Sequence, residues 1–273
     1  MAIKNFIKKL TYSPLLSKIV WRLHIAPLAR RAYFYINRPR GGVISLSVGG
    51  ISAKFFVHSP WELRALEPEG KMGNEKHILE VLESKIKRGD VIFDVGSNFG
   101  IYTIFLAKKS QSGKVAAFEP EEESYNNLQD NVKLNNLTNV ISINIALGNT
   151  NEETNLYLGQ VTGASSLVRK PGDGRGVQKV KTRKGDDIIA EKDLPIPKLV
   201  KIDVEGGEYD VLRGMEKSLS DSRCKYVCCE IHPQNFPEGL TVEKIFRLLE
   251  SFGFKKIKEY KRGTSEFHIL AEK

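Results

Sequence analysis

The clearest candidate for chemistry in this sequence is a short segment in which an acid is followed by two glycines. Residues 91–100 read VIFDVGSNFG, with the pattern Asp-x-Gly-x-Asn-x-Gly beginning at Asp94. A short β-branched and aromatic run that ends in glycine is typical of a buried parallel strand followed by a turn. The dinucleotide fingerprint Gly-x-Gly-x-x-Gly is absent, because Asn98 and Ile101 stand where its second and third glycines belong. An acid at this place suits a cationic ligand better than a pyrophosphate.

A second acid, Glu119, ends the next predicted strand, 25 residues after Asp94. In doubly wound folds, ligands bind outside the carboxyl ends of the strands, where Glu119 can accept both hydroxyls of a ribose. S-adenosylmethionine fits this pair of acids, because its ammonium would pair with Asp94, directly or through water, and its ribose with Glu119. The alternative is that Glu119 only caps the helix that follows.

Four further polar residues stand at the ends of two later strands and are candidates for acceptor chemistry. Asp203 and Glu205 are two residues apart, as are Glu230 and His232, so each pair points to one side if its strand extends that far. We expect His232 to be a general base, because its ordinary pKa of about 6.5 suits proton removal near neutrality. Asp203 is its nearest rival.

Two other interpretations of these four residues stay open. Two or three of the acids, together with His232, can hold a divalent cation that lowers the pKa of an acceptor hydroxyl; magnesium or manganese would suit such oxygen-rich ligands. Alternatively, His232 and Pro233 merely end a strand, and Glu205 merely caps the next helix. No residue is therefore assigned as a metal ligand from the sequence.

The motifs together resemble a known family. The chain contains, in this order, GDVIFDVGSNFGIYTIFLA, FEPEEESYNNLQDNVKLNN, IALGN, VKIDVEGGEYDVLRGM and CEIHP. Over residues 75–270 this combination is similar to the FkbM-type methyltransferases. The resemblance implies S-adenosylmethionine as cofactor and methyl transfer to an oxygen, with sugar hydroxyls and polyketide-type products among the acceptors. Carried over by position, the cofactor-binding residues would be Asp94, Gly96, Asn98, Gly100 and Glu119, with Ala146 and Leu147 near the adenine.

The elements that must position these residues alternate along the chain from residue 91 onward. This alternation predicts an α/β fold with a doubly wound, mostly parallel sheet, and the family resemblance implies seven strands in a Rossmann-like arrangement. The third strand is expected over residues 140–146. Residues 75–273 would form the methyltransferase domain, and residues 1–74 a basic helical arm with a β-hairpin around Gly49-Gly50.

Composition bounds the class of protein. A chain of 273 residues with 41% hydrophobic content can bury a sizeable core. The three cysteines cluster within six residues in a spacing that fits neither a disulfide framework nor a zinc clip, which predicts reduced thiols in a cytoplasmic protein. No window approaches the ~20 apolar residues of a membrane span, and we expect no signal peptide.

The positive charge is concentrated at the amino terminus. Residues 1–61 hold ten of the 42 lysines and arginines and no acid, which leaves 32 basic against 33 acidic residues in the rest of the chain. The basic amphipathic segment within residues 1–40 has three interpretations: a helical cap on the main domain or on a second copy of the chain, a peripheral contact with an anionic membrane, or a contact with nucleic acid.

Two other functional classes remain as alternatives to transfer onto a small-molecule or glycan hydroxyl. A nucleic-acid methyltransferase is the runner-up because of the basic arm, but the Asn-Pro-Pro-aromatic and Pro-Cys motifs of such enzymes are absent. The third class is a non-catalytic module that binds S-adenosylmethionine or a membrane. The sequence does not determine the methyl acceptor or the oligomeric state.

Overall fold

The computed structural model of the chain describes residues 26–67, 71–161, 163–168, 174–261 and 266–273. The chain divides into two compact units, residues 1–46 with 54–76, and residues 47–53 with 77–273. Most of the basic arm predicted for residues 1–40 lies outside the described residues, so the interpretations of that arm remain predictions. The proposed boundary between residues 74 and 75 also remains a prediction.

The amino-terminal elements are, in chain order, a helix, a two-stranded hairpin, a second helix and a third, longer helix. They are α1 (Ala26–Asn37), β1 (Val43–Val48), β2 (Ile51–Phe56), α2 (Pro60–Leu66) and α3 (Lys71–Lys85). Strands β1 and β2 pair through a turn in which Gly49 and Gly50 have φ of 55° and 83°. Positive φ at both central residues is what a tight primed turn requires, and the predicted hairpin is present. Helix α2 begins with a capping box formed by Ser59 and Glu62.

The remaining elements alternate between strands and helices, as predicted. They are β3 (Ile92–Val95), α4 (Ile101–Ser110), β4 (Val115–Phe118), α5 (Glu122–Leu134), β5 (Val140–Ile143), β6 (Ala146–Leu147), β7 (Glu152–Leu158), β8 (Gly176–Arg183), α6 (Gly185–Glu191), β9 (Leu199–Ile202), α7 (Glu208–Gly214), α8 (Glu216–Ser220), β10 (Tyr226–Ile231), α9 (Val242–Ser251), β11 (Lys256–Lys261) and β12 (Phe267–Glu272).

The main sheet has seven strands in the order β11-β12-β10-β9-β3-β4-β5. The five strands from β10 to β5 run parallel, and β12 is antiparallel to both β10 and β11. The predicted fold class is confirmed. Strand order reverses between β3 and β9, which is the place where doubly wound folds bind ligands. All residues of β3, β4 and β9 are buried, and this explains their nearly continuous apolar sequences.

A second, three-stranded sheet has the order β6-β8-β7. It corrects the expectation of one strand over residues 140–146, because β5 ends at Ile143 and Ala146 pairs with Thr182 of β8 instead. Asn144 accounts for the break: its side-chain amide donates to the carbonyl oxygens of Glu119 and Pro120, at 2.8 and 3.2 Å, and so turns the chain away from the main sheet.

Helix α1 is the element with the most exposed apolar side chains in the described part of the chain. Leu28, Tyr35 and Ile36 are 68%, 64% and 39% exposed. Arg31 and Arg38 are exposed on the same helix and just after it. Among the helices described, none combines the length and apolar character that crossing a bilayer requires.

Candidate active site

A crevice of about 250 Å³ opens at the carboxyl ends of β3, β4 and β9. One wall comes from the loop after β3 and the end of β4, and the facing wall from the loop after β9. The second sheet closes the crevice with residues from β6, β7 and β8, among them Ala146, Leu147, Leu156 and Thr182.

The loop after β3 has a conformation that depends on its glycines. Gly96, Asn98 and Gly100 have φ of 76°, 49° and 94°, values that glycine and, less readily, asparagine adopt. A Cβ on Gly96 would lie 1.8 Å from the backbone oxygen of Asp203. Only glycine therefore allows the loops after β3 and β9 to approach each other this closely. Gly96 and Asn98 line the crevice, whereas Gly100 caps α4 behind it.

Glu119 lies at the end of β4 and lines the crevice, where it is 6% exposed. Its two carboxylate oxygens accept hydrogen bonds from the backbone amides of Asn98, at 2.7 Å, and Glu121, at 2.9 Å. Burial raises the pKa of Glu119 to about 8, although both amide hydrogen bonds oppose that shift. A carboxylate has about four lone-pair positions, so each oxygen can accept one more donor from a ligand.

Asp94 is fully buried in β3 and does not line the crevice. Its Oδ2 accepts a hydrogen bond of 2.5 Å from the Thr103 hydroxyl, and its Oδ1 lies 3.9 Å from the Lys201 ammonium on the neighbouring strand. Burial raises the pKa of Asp94, and Lys201 and Thr103 act against that rise. The direct contact that we expected between Asp94 and a ligand ammonium does not fit this position, because the carboxylate lies beneath the floor of the crevice.

Two buried polar atoms of the crevice make no hydrogen bond within the described part of the chain. They are the side-chain oxygen of Asn98 and the hydroxyl of Thr182. Unsatisfied buried polar atoms cost free energy in a native structure, so both indicate a polar ligand. Ala146 and Leu147, which the resemblance placed near an adenine, provide apolar surface in the same space.

Asp203, Glu205, Glu230 and His232 come together at the other wall. His232 Nε2 lies 3.9 Å from Asp203 Oδ1, 3.6 Å from Glu205 Oε1 and 3.6 Å from Glu230 Oε1. Asp203 and Glu205 line the crevice. Glu230 and His232 are buried behind them, at 0% and 1% exposure. We refer to these four residues as the acidic cluster.

Three neighbouring side chains, Lys201, Asn235 and Glu208, hold the acidic cluster in place. Lys201 donates to Asp203 Oδ2 at 3.2 Å, Asn235 donates to Glu205 Oε2 at 3.0 Å, and His232 Nδ1 is 2.7 Å from Glu208 Oε1. The backbone of the loop between β9 and α7 is strained at Glu205, which has a φ of 54°, a value that side-chain-bearing residues rarely adopt. A Cβ on Gly206 would lie 2.6 Å from the Asn235 backbone oxygen, so glycine is needed there for Asn235 to reach Glu205.

The protonation of His232 differs from the sequence expectation. Burial alone would lower its pKa, but the hydrogen bond with Glu208 and the carboxylates of Asp203 and Glu205 outweigh burial and raise the pKa to about 9. The imidazole is therefore protonated at neutral pH in this arrangement, whereas the base role was predicted from an ordinary pKa of about 6.5.

Sequence reasoning missed several residues that shape the site. Lys201 had a signal, because it is a single charge inside the apolar strand LVKI. Glu208 and Asn235 had none, because their partners His232 and Glu205 lie 24 and 30 residues away. Thr182 had none, because it reaches the crevice from the second sheet.

The comparisons with known proteins identify the class. The family model for the Methyltransferase FkbM domain matches residues 94–256, which span the whole crevice and the acidic cluster. The chain is a methyltransferase of the FkbM family.

Individual relatives are more distant. The chain is 29% identical over 201 residues to the hexuronic acid methyltransferase AglP of Haloferax volcanii, a match that covers 71% of this chain and 76% of that protein. It is 24% identical over 214 residues to the 2-O-methyltransferase NoeI of Sinorhizobium fredii, covering 72% and 84%. Among solved structures, the precorrin-6y C5,15-methyltransferase of Geobacter metallireducens matches with a TM-score of 0.46 and 14% identity, over 72% of this chain and 87% of that one.

Proposed function

We propose that this protein transfers a methyl group from S-adenosylmethionine to a hydroxyl oxygen of a carbohydrate. The observation that carries the proposal is that Glu119 and the two carboxylates Asp203 and Glu205 line one crevice. A cofactor at the first wall would thus present its methyl group to an acceptor at the second.

The residues of the first wall fit S-adenosylmethionine. Glu119 has lone pairs for two ribose hydroxyls beyond those used by the backbone amides. Asn98 and Thr182 offer oxygen atoms that lack a hydrogen bond within the described residues, and the positive φ of Gly96 brings the backbone to the crevice surface. When bound, S-adenosylmethionine supplies an electrophilic methyl group on a sulfonium.

The residues of the second wall serve the acceptor. Asp203 and Glu205, at 11% and 24% side-chain exposure, can accept hydrogen bonds from sugar hydroxyls and fix one oxygen in line with the methyl group. Asp203 is then the candidate general base for the hydroxyl proton, because the raised pKa of His232 keeps its imidazole protonated at neutral pH. The curated relatives that act on a hexuronic acid and that methylate a 2-O position support a carbohydrate acceptor.

The direct test is methyl transfer from labelled S-adenosylmethionine to a panel of uronic acid and neutral sugar glycosides. The proposal predicts a labelled product that resists mild alkali, because an O-methyl ether is stable there and a methyl ester on the uronic carboxylate is not. A labelled product that alkali releases completely would contradict transfer to a hydroxyl. Absence of transfer to any glycoside would contradict the carbohydrate class.

The same proposal places the protein in the cytoplasm, at the surface of an anionic membrane. Three buried cysteines without disulfides support a reducing compartment.

The exposed Leu28, Tyr35 and Ile36 of α1, beside Arg31 and Arg38, suit an anionic lipid surface. Because each arginine near such a surface contributes about 1 kcal/mol, the full-length double variant Arg31→Gln/Arg38→Gln should bind phosphatidylserine vesicles more weakly by about tenfold or more. Equal cosedimentation of the two proteins would contradict this contact.

A further inference from the structure

The acidic cluster contains the donor atoms of a divalent-cation site. Asp203, Glu205 and His232 each offer one ligand atom, and these three atoms all lie within 4.8 Å of one another. His232 Nε2 is 3.9 Å from Asp203 Oδ1 and 3.6 Å from Glu205 Oε1. These separations are too long for hydrogen bonds. They suit ligands of one ion, because atoms about 2.0–2.2 Å from the same cation lie at most about 4.4 Å apart.

The imidazole is an independent indication of a ligand. The His232 side chain is 2% exposed, and its Nδ1 is engaged by Glu208 Oε1 at 2.7 Å. Its Nε2 points at the carboxylates of the cluster and makes no hydrogen bond with them. Histidines that bind metals nearly always pair their other ring nitrogen with a carboxylate or carbonyl, and Glu208 is such a partner.

The two carboxylates are held in the same way. Lys201 donates to Oδ2 of Asp203, and Asn235 donates to Oε2 of Glu205, so that the second oxygen of each carboxylate faces His232. Each of the three candidate ligands thus has one polar atom fixed by a neighbour and the other directed to a common point. Such support fixes the geometry of a cation site before the ion binds.

The charge of the region also favours a cation. Asp203, Glu205, Glu208 and Glu230 surround one imidazole, and Glu230 and Glu208 are completely buried. Lys201, which lies on β9 two residues before Asp203, contacts the Asp203 carboxylate, and His268 Nε2 lies 3.4 Å from Glu230 Oε2. The carboxyl groups of this region outnumber the basic side chains that contact them, an arrangement that suits a bound cation.

We propose that Asp203, Glu205 and His232 bind one divalent cation, Mg²⁺ or Mn²⁺, at the acceptor wall of the crevice. Carboxylate-rich sites suit these two ions. The role of the ion rests on the proposed function: it binds the acceptor hydroxyl and lowers its pKa. Because Asp203 is then a ligand of the ion, the hydroxyl loses its proton to water instead of to Asp203. Its oxygen forms a bond to the methyl carbon, and the bond from that carbon to sulfur breaks. The sulfonium becomes a neutral thioether, and each turnover releases one proton.

The experiment is a titration of the full-length protein with Mn²⁺, followed by the loss of the electron paramagnetic resonance signal of free Mn²⁺. We expect one ion per chain, displaced by excess Mg²⁺. Glu205→Gln and His232→Gln should weaken binding by at least about tenfold, and Glu208→Gln by about 10- to 100-fold. The matched control Glu250→Gln, on the exposed face of α9, should bind as the wild type does.

A second readout identifies the ligand directly. Pulsed resonance on the bound Mn²⁺ should show coupling to a ¹⁴N nucleus that disappears in His232→Gln. The proposal is overturned if the folded protein shows no saturable Mn²⁺ binding, or if Glu205→Gln and His232→Gln both bind Mn²⁺ as the wild type does. Titration of the same samples with S-adenosylmethionine separates the two hypotheses. Cofactor binding without Mn²⁺ binding refutes only the cation site, and Mn²⁺ binding without cofactor binding refutes only the proposed function.

Discussion

The two walls of the crevice are built in different ways. At the end of β3 and β4, backbone conformation shapes the wall. Glycines adopt positive φ, and main-chain amides donate hydrogen bonds to the Glu119 carboxylate. At the end of β9 and β10, polar and charged side chains build the wall: Lys201 holds Asp203, Asn235 holds Glu205, and Glu208 holds His232. The first wall therefore depends mainly on backbone conformation, and the second mainly on charged and polar side chains.

If the two walls are functionally separate, the largest effect on turnover should come from a substitution in the wall that holds Asp203 and Glu205. Asp203→Asn should lower kcat by about 10²- to 10⁴-fold, because it removes a charged group beside the acceptor hydroxyl. The dissociation constant of S-adenosylmethionine should change by less than about threefold. The matched control Asp193→Asn lies on an exposed turn with a φ of 48°, which asparagine tolerates, and should retain full turnover. A parallel loss of cofactor affinity in Asp203→Asn would show that the walls are not separate.

The substitution Gly96→Ala should damage both walls together. Its Cβ would meet the backbone oxygen of Asp203 at 1.8 Å, so the loops after β3 and β9 must move apart. We expect urea denaturation to show a loss of about 2–4 kcal/mol in the free energy of unfolding. The control Gly50→Ala has a φ of 83° and open space around it, and should lose only about 1–2 kcal/mol. Equal losses would mean that the close approach of the loops is not what requires glycine at residue 96.

Glu119→Gln should weaken cofactor binding without changing the wall that holds Asp203 and Glu205. The amide NH2 of glutamine cannot accept a hydrogen bond, so one of the two ribose hydroxyls should lose its acceptor, and S-adenosylmethionine binding should weaken by about 10- to 100-fold, or about 1.5–3 kcal/mol. Calorimetry on Glu119→Gln and on the exposed control Glu122→Gln measures this effect. Unchanged affinity in Glu119→Gln would contradict the ribose contact and support the alternative that Glu119 only caps α5.

The same variant should change how stability depends on pH, with a smaller effect. The folded-state pKa of Glu119, about 8, lies above its ordinary value of 4.5 because of burial. Its contribution to stability is therefore complete below about pH 4.5 and is lost as pH rises through 8. The quantity to measure, without ligand, is the melting temperature of Glu119→Gln minus that of the wild type. This difference should be about 2 °C or more larger at pH 9 than at pH 5. Glu83, with a pKa raised to about 7 by burial, remains in both proteins and cancels in this comparison. A difference that does not vary with pH would contradict the raised pKa.

The contrast between the walls also explains what could be predicted from the sequence. The glycine loop and Glu119 were found because strand ends and positive-φ turns leave local signals in residue type and spacing. Asp94 was placed in a buried strand, but its pairing with Lys201 beneath the crevice was missed, because the register that brings the two residues together is a property of the sheet. The raised pKa of His232 depends on Glu208, 24 residues earlier in the chain and on another element. Spacing along the sequence indicates which residues lie at a strand end, but the partners that set their charge come from tertiary packing.

The most direct test of this account is calorimetry of the wild-type protein with S-adenosylmethionine and, in parallel, with NAD. We expect saturable binding of one S-adenosylmethionine per chain and no binding of NAD, because the loop after β3 lacks the second and third glycines of a dinucleotide cradle. Binding of NAD instead, or of neither ligand to the folded protein, would contradict the assignment of the crevice.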